Sequence, residues 1–172
     1  KVCKLFIYKG EKYNLQLINL NNETKNILDV SGVYRDITLV DSINLINNLK
    51  TTLTYLNDHG YPFSRVKFDS INIDDKKINA SLDIRKGQFI KFAPIKHKGN
   101  LKVDRKYLQR YLGIIPEQAY NHSLIIGMQK RLQEIPFIQL DSFLGINFLN
   151  EKAELDLYLS SKKANYFDFI IG

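Results

Sequence analysis

The chain has 172 residues, 44% of them hydrophobic and 25% charged, with a formal net charge of +7. The length suits one mid-sized domain or two small ones, and the apolar content excludes a disordered chain. No run is long and apolar enough for a membrane-spanning helix, and the single Cys3 excludes an internal disulfide framework or a cysteine-based metal cluster.

Taken in chain order, Cys3 to Gly10 alternates like a strand, and a second strand is expected over residues 13–20. A short helix over 23–30 has only a weak pattern. Asp41 and Ser42 offer an N-cap for a helix with Ile46, Leu49, Leu53 and Leu56 on one stripe, stopped at Gly60. Strands at 65–73 and 78–84 flank the polar tip Asp74-Asp75-Lys76 and read as a hairpin. The next strand is expected over 89–97, where Pro94 hints at an edge or a bulge. Asp104 then caps a short helix with Tyr107, Leu108 and Tyr111 inward and Gly113 as its stop. Asn121 caps a longer helix carrying Leu124, Met128, Leu132 and Ile135, which Pro136 prevents from continuing. Strands at 141–149 and 153–159 flank Asn150-Glu151-Lys152 and close the pattern.

The pattern repeats. Gly10 and Gly87 end matching strands 77 residues apart, Ala80 and Ala153 lie 73 apart, and Tyr61-Pro62-Phe63 is echoed by Ile135-Pro136-Phe137 74 residues on. The order is strand, helix, helix, strand, strand, so the fold class is α+β. Each module is expected to be a three-stranded mixed sheet with two helices on one face, because a bare hairpin is not stable alone. The expected division is 1–9 as a strand of a preceding module or N-terminal extension, 10–87 and 88–162 as modules, and 163–172 as a linker. The chain starts at Lys1 without Met or a signal peptide, and reads as a piece of a longer protein.

No G-x-S-x-G elbow, phosphate loop or H-E-x-x-H pair occurs, so neither catalytic residues nor a metal or cofactor site is expected. His59, His97 and His122 lie on different predicted elements and have local explanations, such as a cation at a helix end for His59. Charge is concentrated between Arg85 and Arg110, where nine cations face only Asp104. That segment suits phosphates of nucleic acid or anionic lipid headgroups, or else a solvated surface. A small α/β nucleic-acid-binding module using residues 85–110 is the rival function. Against it, neither an RRM-type aromatic strand motif nor a G-x-x-G loop is present.

Several strings resemble a known family: Gly60-Tyr61-Pro62-Phe63, Gly99-Asn100, Tyr107-Leu108-Gln109-Arg110-Tyr111-Leu112-Gly113-Ile114 with Pro116 and Tyr120, and Arg131-Leu132-Gln133-Glu134-Ile135-Pro136-Phe137. Together with the βααββ order they resemble POTRA (polypeptide-transport-associated) domains, which occur in tandem before the barrel of BamA-like and TamA-like outer-membrane proteins. The run from Lys163 to Gly172 looks like the step into a first barrel strand. The resemblance implies a periplasmic, non-enzymatic segment attached to an outer-membrane β-barrel of the same chain. Its expected partners are unfolded outer-membrane proteins and accessory assembly proteins.

In such modules the second strand usually lies at a sheet edge, here 65–73 and 141–149, and an edge accepts a partner strand through backbone hydrogen bonds. The expected binding strand comprises Phe143, Leu144, Gly145, Ile146, Asn147 and Phe148, with Leu144, Ile146 and Phe148 facing the core. Proline at Gly145 or Asn147 would test it, the choice depending on hydrogen-bond directions. The resemblance also brings Lys91, Lys96, Lys98, Lys102, Arg105 and Lys106 near anionic headgroups.

Overall fold

The computed structural model describes residues 14–33, 42–74, 77–142 and 145–162. The expectations for Cys3 to Gly10, Tyr13, the Asp41 cap, the tip at Asp75 and Lys76, Phe143, Leu144 and residues 163–172 lie outside them. Two compact units comprise Lys1–Tyr55 with Ser64–Arg85, and Leu56–Phe63 with Lys86–Gly172.

In the first unit the strand β1 (Asn14–Leu17) is followed by the helices α1 (Asn22–Val30) and α2 (Ser42–Asp58), the last turn of α2 grouping with the second unit. The strands β2 (Arg65–Asp74) and β3 (Lys77–Arg85) complete a sheet of order β1-β3-β2. β1 runs parallel to β3, pairing Leu15 with Ile78 and Leu17 with Ala80, while β2 is antiparallel. The helix over 23–30, weak in pattern, is firmly built. Asn21 accepts from the Thr24 N–H at 2.7 Å, and Gly32 at φ 76° turns the chain so that Val33 N–H reaches the Leu28 carbonyl at 2.9 Å. That is a capped N-terminus and a Schellman C-terminus, with Val33 packed beside Leu28. On α2 the inward line is Leu45, Leu49 and Thr52, not Ile46, which is 51% exposed. Leu45 and Ile46 are adjacent and equally apolar, so periodicity alone did not separate them. The buried Thr52 hydroxyl donates to the Asn48 carbonyl at 3.1 Å and so is satisfied within its own helix.

In the second unit the expected strand over 89–97 is two short strands, β4 (Lys91–Phe92) and β5 (Lys96–Lys98). Pro94 lies between them and has no N–H for a ladder. The pairing offset to the strand β8 (Lys152–Ser161) falls from 152 − 91 = 61 to 156 − 96 = 60, one extra residue at the break. This bulge lets both Phe92 and Ile95 enter the core. α3 (Arg105–Leu112) and α4 (His122–Glu134) follow. The expected strand over 141–149 is likewise divided, into β6 (Ile138–Leu140) and β7 (Gly145–Leu149). β8 lies in the middle, with β4 and β5 parallel along one flank and β6 and β7 antiparallel along the other. In width this is the expected three-stranded mixed sheet. Asn150 and Glu151, at φ 49° and 61°, form a two-residue turn of the type that matches strand twist.

Both helices cover one face: Leu108 and Leu112 of α3, and Ile125, Met128 and Leu132 of α4, pack on Ala153, Leu155, Leu157 and Leu159 of β8. Tyr107 and Tyr111, expected inward, are 43% and 39% exposed and stack on each other. The pair Leu108 and Leu112 has the same spacing and no hydroxyl to satisfy, so it takes the core. α4 carries two caps. Asn121 accepts from the Leu124 N–H at 2.9 Å, and the Asp58 carboxylate accepts from the Ser123 N–H at 2.8 Å and its hydroxyl at 2.7 Å. Replacing Asn121 with alanine should lower the stability of this unit by about 1 kcal/mol in urea denaturation. Asp58 continues to hold the neighbouring amide.

Candidate functional site: an open sheet edge and a basic surface

Among the described residues β2 pairs only with β3, and β7 only with β8, so within them each is an edge of its sheet. The flank of the second sheet opposite β7 is occupied at β4. Phe92 N–H donates to the Gln118 carbonyl and Glu117 N–H to the Phe92 carbonyl, both at 2.9 Å. Tyr120 N–H donates to the Ile90 carbonyl at 2.9 Å, and Lys91 bridges to Ala119. Residues 117–120 thus use the backbone groups that β4 would otherwise present, which left no trace in the sequence pattern.

The pleat of β7 follows from its register. Ile146 opposite Leu155 and Phe148 opposite Ala153 lie on the core face, while Gly145 and Asn147 lie on the outer face with Asp156 and Glu154. Ile146 packs on the core, and Phe148 meets the rings of Phe63 at 4.8 Å and Tyr120 at 5.6 Å. A Cβ added at Gly145 meets only Asp156 Cβ at 3.7 Å, so its openness belongs to the sheet's outer face.

Hydrogen-bond directions can be read from the flanks of β8. The carbonyls of Glu151, Ala153 and Leu159 accept from Lys91, Ala93 and Leu101, whereas the Tyr158 carbonyl accepts from Asp141 N–H on the other flank. Backbone groups of successive strand residues alternate in direction, so Lys152, Glu154 and Asp156 serve β7. Their partners Leu149, Asn147 and Gly145 point N–H groups inward, and Ile146 and Phe148 point theirs out of the sheet. Proline at Gly145 or Asn147 would therefore strike the internal ladder. The informative positions are Ile146 and Phe148.

The six cations expected as one patch fall into two groups, with Lys91 apart from both. Lys96 and Lys98 lie on the outer sheet face among acids: Lys96 bonds Glu154 at 2.6 Å, which raises its pKa, and Lys98 lies 4.0 Å from Asp156 and 5.3 Å from the Tyr158 ring centre. Lys91 is exposed near Glu117, whose carboxyl is held below the usual range chiefly by the hydrogen bond from Lys152. Lys102, Arg105 and Lys106 are exposed around the start of α3 and, among the described residues, have no carboxylate partner. Arg110, one turn beyond Lys106, belongs with them and was missing from the expected patch. The spacing of four residues on a helix could have revealed it.

His59 lies in the turn after α2, His97 on β5 and His122 on α4, and His122 Nδ1 shares a 2.9 Å hydrogen bond with the Tyr120 hydroxyl. Burial, and secondarily the charge of Asp58, raises the pKa of the Tyr120 phenol. Among the described residues no three His, Cys, Asp or Glu side chains gather in a metal-holding group. No described helix is long and apolar enough to cross a membrane.

No family model and no curated protein sequence matches the chain. Solved structures do. BamA from Haemophilus ducreyi lacking POTRA domains 1-3 aligns over 90% of this chain and 30% of its own, with a TM-score of 0.62 and 13% identity. BamA POTRA3-5 from Haemophilus influenzae aligns over 87% of this chain and 62% of its own, with a TM-score of 0.55 and 17% identity. The chain thus spans less than two thirds of either.

Proposed function

We propose, from the premise that this chain has the fold of tandem POTRA domains, that it is a periplasmic segment of an outer-membrane protein-assembly or translocation factor. In this reading it carries out no reaction. It binds unfolded outer-membrane clients or accessory proteins by accepting a strand along β7, next to a β-barrel elsewhere in the same protein. The observation that carries the proposal is the asymmetry of the second sheet: β4 is covered by residues 117–120, while among the described residues β7 has backbone partners on one side only. Edge hydrogen bonds depend little on client sequence, which suits a factor that handles many precursors.

Titration with a synthetic eight-residue peptide of alternating apolar and polar residues tests this. Ile146→Pro removes an outward donor, and Ile146→Ala removes the same side chain without touching the backbone. The proline variant should bind at least about tenfold more weakly than the alanine variant, as loss of one buried backbone hydrogen bond predicts. Both should melt within a few degrees of each other. Equal affinities in two folded variants would reject β7 as the receiving edge. Asn147→Pro, which removes an inward donor, should instead lower the melting temperature.

A further inference from the structure

We infer that the outward face of α3 is a contact surface for an anionic lipid bilayer. The face is made of Lys106, Tyr107, Arg110 and Tyr111, all exposed, with Lys102 and Arg105 beside it at the helix start. Tyr107 and Tyr111 lie one turn apart with ring planes 20° apart and centroids 6.1 Å apart, so together they form a flat aromatic surface. Four cations surround it without a carboxylate partner among the described residues. The one acid within the stretch, Asp104, directs its carboxylate to the Lys106 N–H at 3.1 Å as the helix cap. The charge of this face is therefore +3.

Cations are disfavoured at a helix N-terminus because the helix dipole is positive there. Arg105 and Lys106 sit in that first turn and are not offset by a pair, so an external anion would relieve them. Charge complementarity thus selects an anionic occupant. Shape selects among anions: two turns of convex helix offer no groove to hold a peptide, whereas a bilayer presents a plane of phosphates that needs no register. Tyrosine rings, apolar in body and polar at the tip, suit the boundary between headgroups and acyl chains. The paired lysines on the outer sheet face, Lys96 and Lys98, lack this character. The inference stands independently of the β7 edge.

Co-sedimentation of the full chain with phosphatidylglycerol-containing vesicles, against pure phosphatidylcholine vesicles, provides the test. The wild-type chain should bind the anionic vesicles only, and more weakly as salt rises. The double variant Lys106→Gln/Arg110→Gln should bind them roughly 25-fold more weakly, about fivefold per cation. Tyr107→Ser/Tyr111→Ser should also bind more weakly, while Lys96→Gln should bind as the wild type does. All replaced α3 side chains are exposed, and melting curves confirm folding. Should one double variant unfold, Lys102→Gln/Arg105→Gln takes its place. Equal binding to both vesicles, no binding to either, or wild-type binding by the folded double variant overturns the inference. Tighter binding to duplex DNA through the same residues overturns it in favour of a nucleic-acid surface.

Discussion

Replacing Gly99 with alanine is expected to prevent the second unit from folding normally, whereas the same change at Gly127 should stabilise it. Gly99 follows β5 at φ 106°, a conformation that L side chains rarely adopt. A Cβ there would press into the Leu159 carbonyl group of β8, with the carbonyl carbon only 2.9 Å away. Neither side can yield cheaply, because both are backbone of the same sheet. The Leu159 carbonyl also accepts from Leu101 N–H, so moving it breaks a second link. Backbone strain of about 1–3 kcal/mol adds to the steric displacement, and a total on the order of 4 kcal/mol or more belongs to the exceptional class of substitutions. Gly127 lies within α4 with an ordinary φ, and its nearest foreign atoms are Arg131 side-chain nitrogens at 3.9 Å. Alanine there should add about 0.5–1 kcal/mol through helix propensity. Urea denaturation of both variants decides the matter. Equal losses would show that the close approach at Gly99 does not govern its effect.

Gly99 also shows which features of the fold were legible in the sequence. It stands in one of the strings that carry the family resemblance, but the carbonyl that makes glycine obligatory belongs to a residue 60 positions on. Order and type of element were readable where apolar periodicity was strong, as in α4 and in the alternating strands β3 and β8. Where two alternatives shared one period, the pattern was mute. Leu45 against Ile46, and Leu108 with Leu112 against Tyr107 with Tyr111, were separated only by packing. α1 shows the reverse case. Its apolar pair Ile27 and Leu28 is too short to show a period, yet Asn21 and Gly32 mark both ends, and weighing those caps would have strengthened the expectation.

The candidate edge divides in the same way. The pleat of Ile146 and Phe148 followed from alternation, and among the described residues β7 pairs with β8 alone. The direction of its N–H groups did not follow, because it depends on which flank of β8 each carbonyl serves, a property of the assembled sheet. Nor could the sequence show that β4 is capped by residues 117–120. The cations of α3 were visible as a charge cluster, but their separation from Lys96 and Lys98 depends on Glu154 and Asp156, brought alongside by parallel pairing with β8.

Tyr120→Ala should cost the second unit about 3–5 kcal/mol, the range for removing a large buried ring, and should loosen β7 in particular. Across the sheet, Phe148, Ala153 and Phe92 stand side by side on β7, β8 and β4. Alanine between two phenylalanines leaves a hollow, and Tyr120 fills it, with ring centroids 5.4 Å from Phe92 and 5.6 Å from Phe148. It is 2% exposed. Its backbone meanwhile joins the covering segment to Ile90 and to Gly60. Removing the ring therefore withdraws the inner support of Phe148, leaving Phe63 as that residue's remaining aromatic contact among the described residues. Tyr120→Phe keeps the ring and loses only the hydroxyl shared with His122, so it should cost about 1 kcal/mol. Denaturation gives both magnitudes, and amide hydrogen exchange gives the location. In Tyr120→Ala the inward amides of Gly145, Asn147 and Leu149 should exchange faster by a larger factor than those of β5, which the ring does not touch. If the two strands accelerate equally, the ring supports the unit as a whole and has no particular role in holding the candidate binding edge in place.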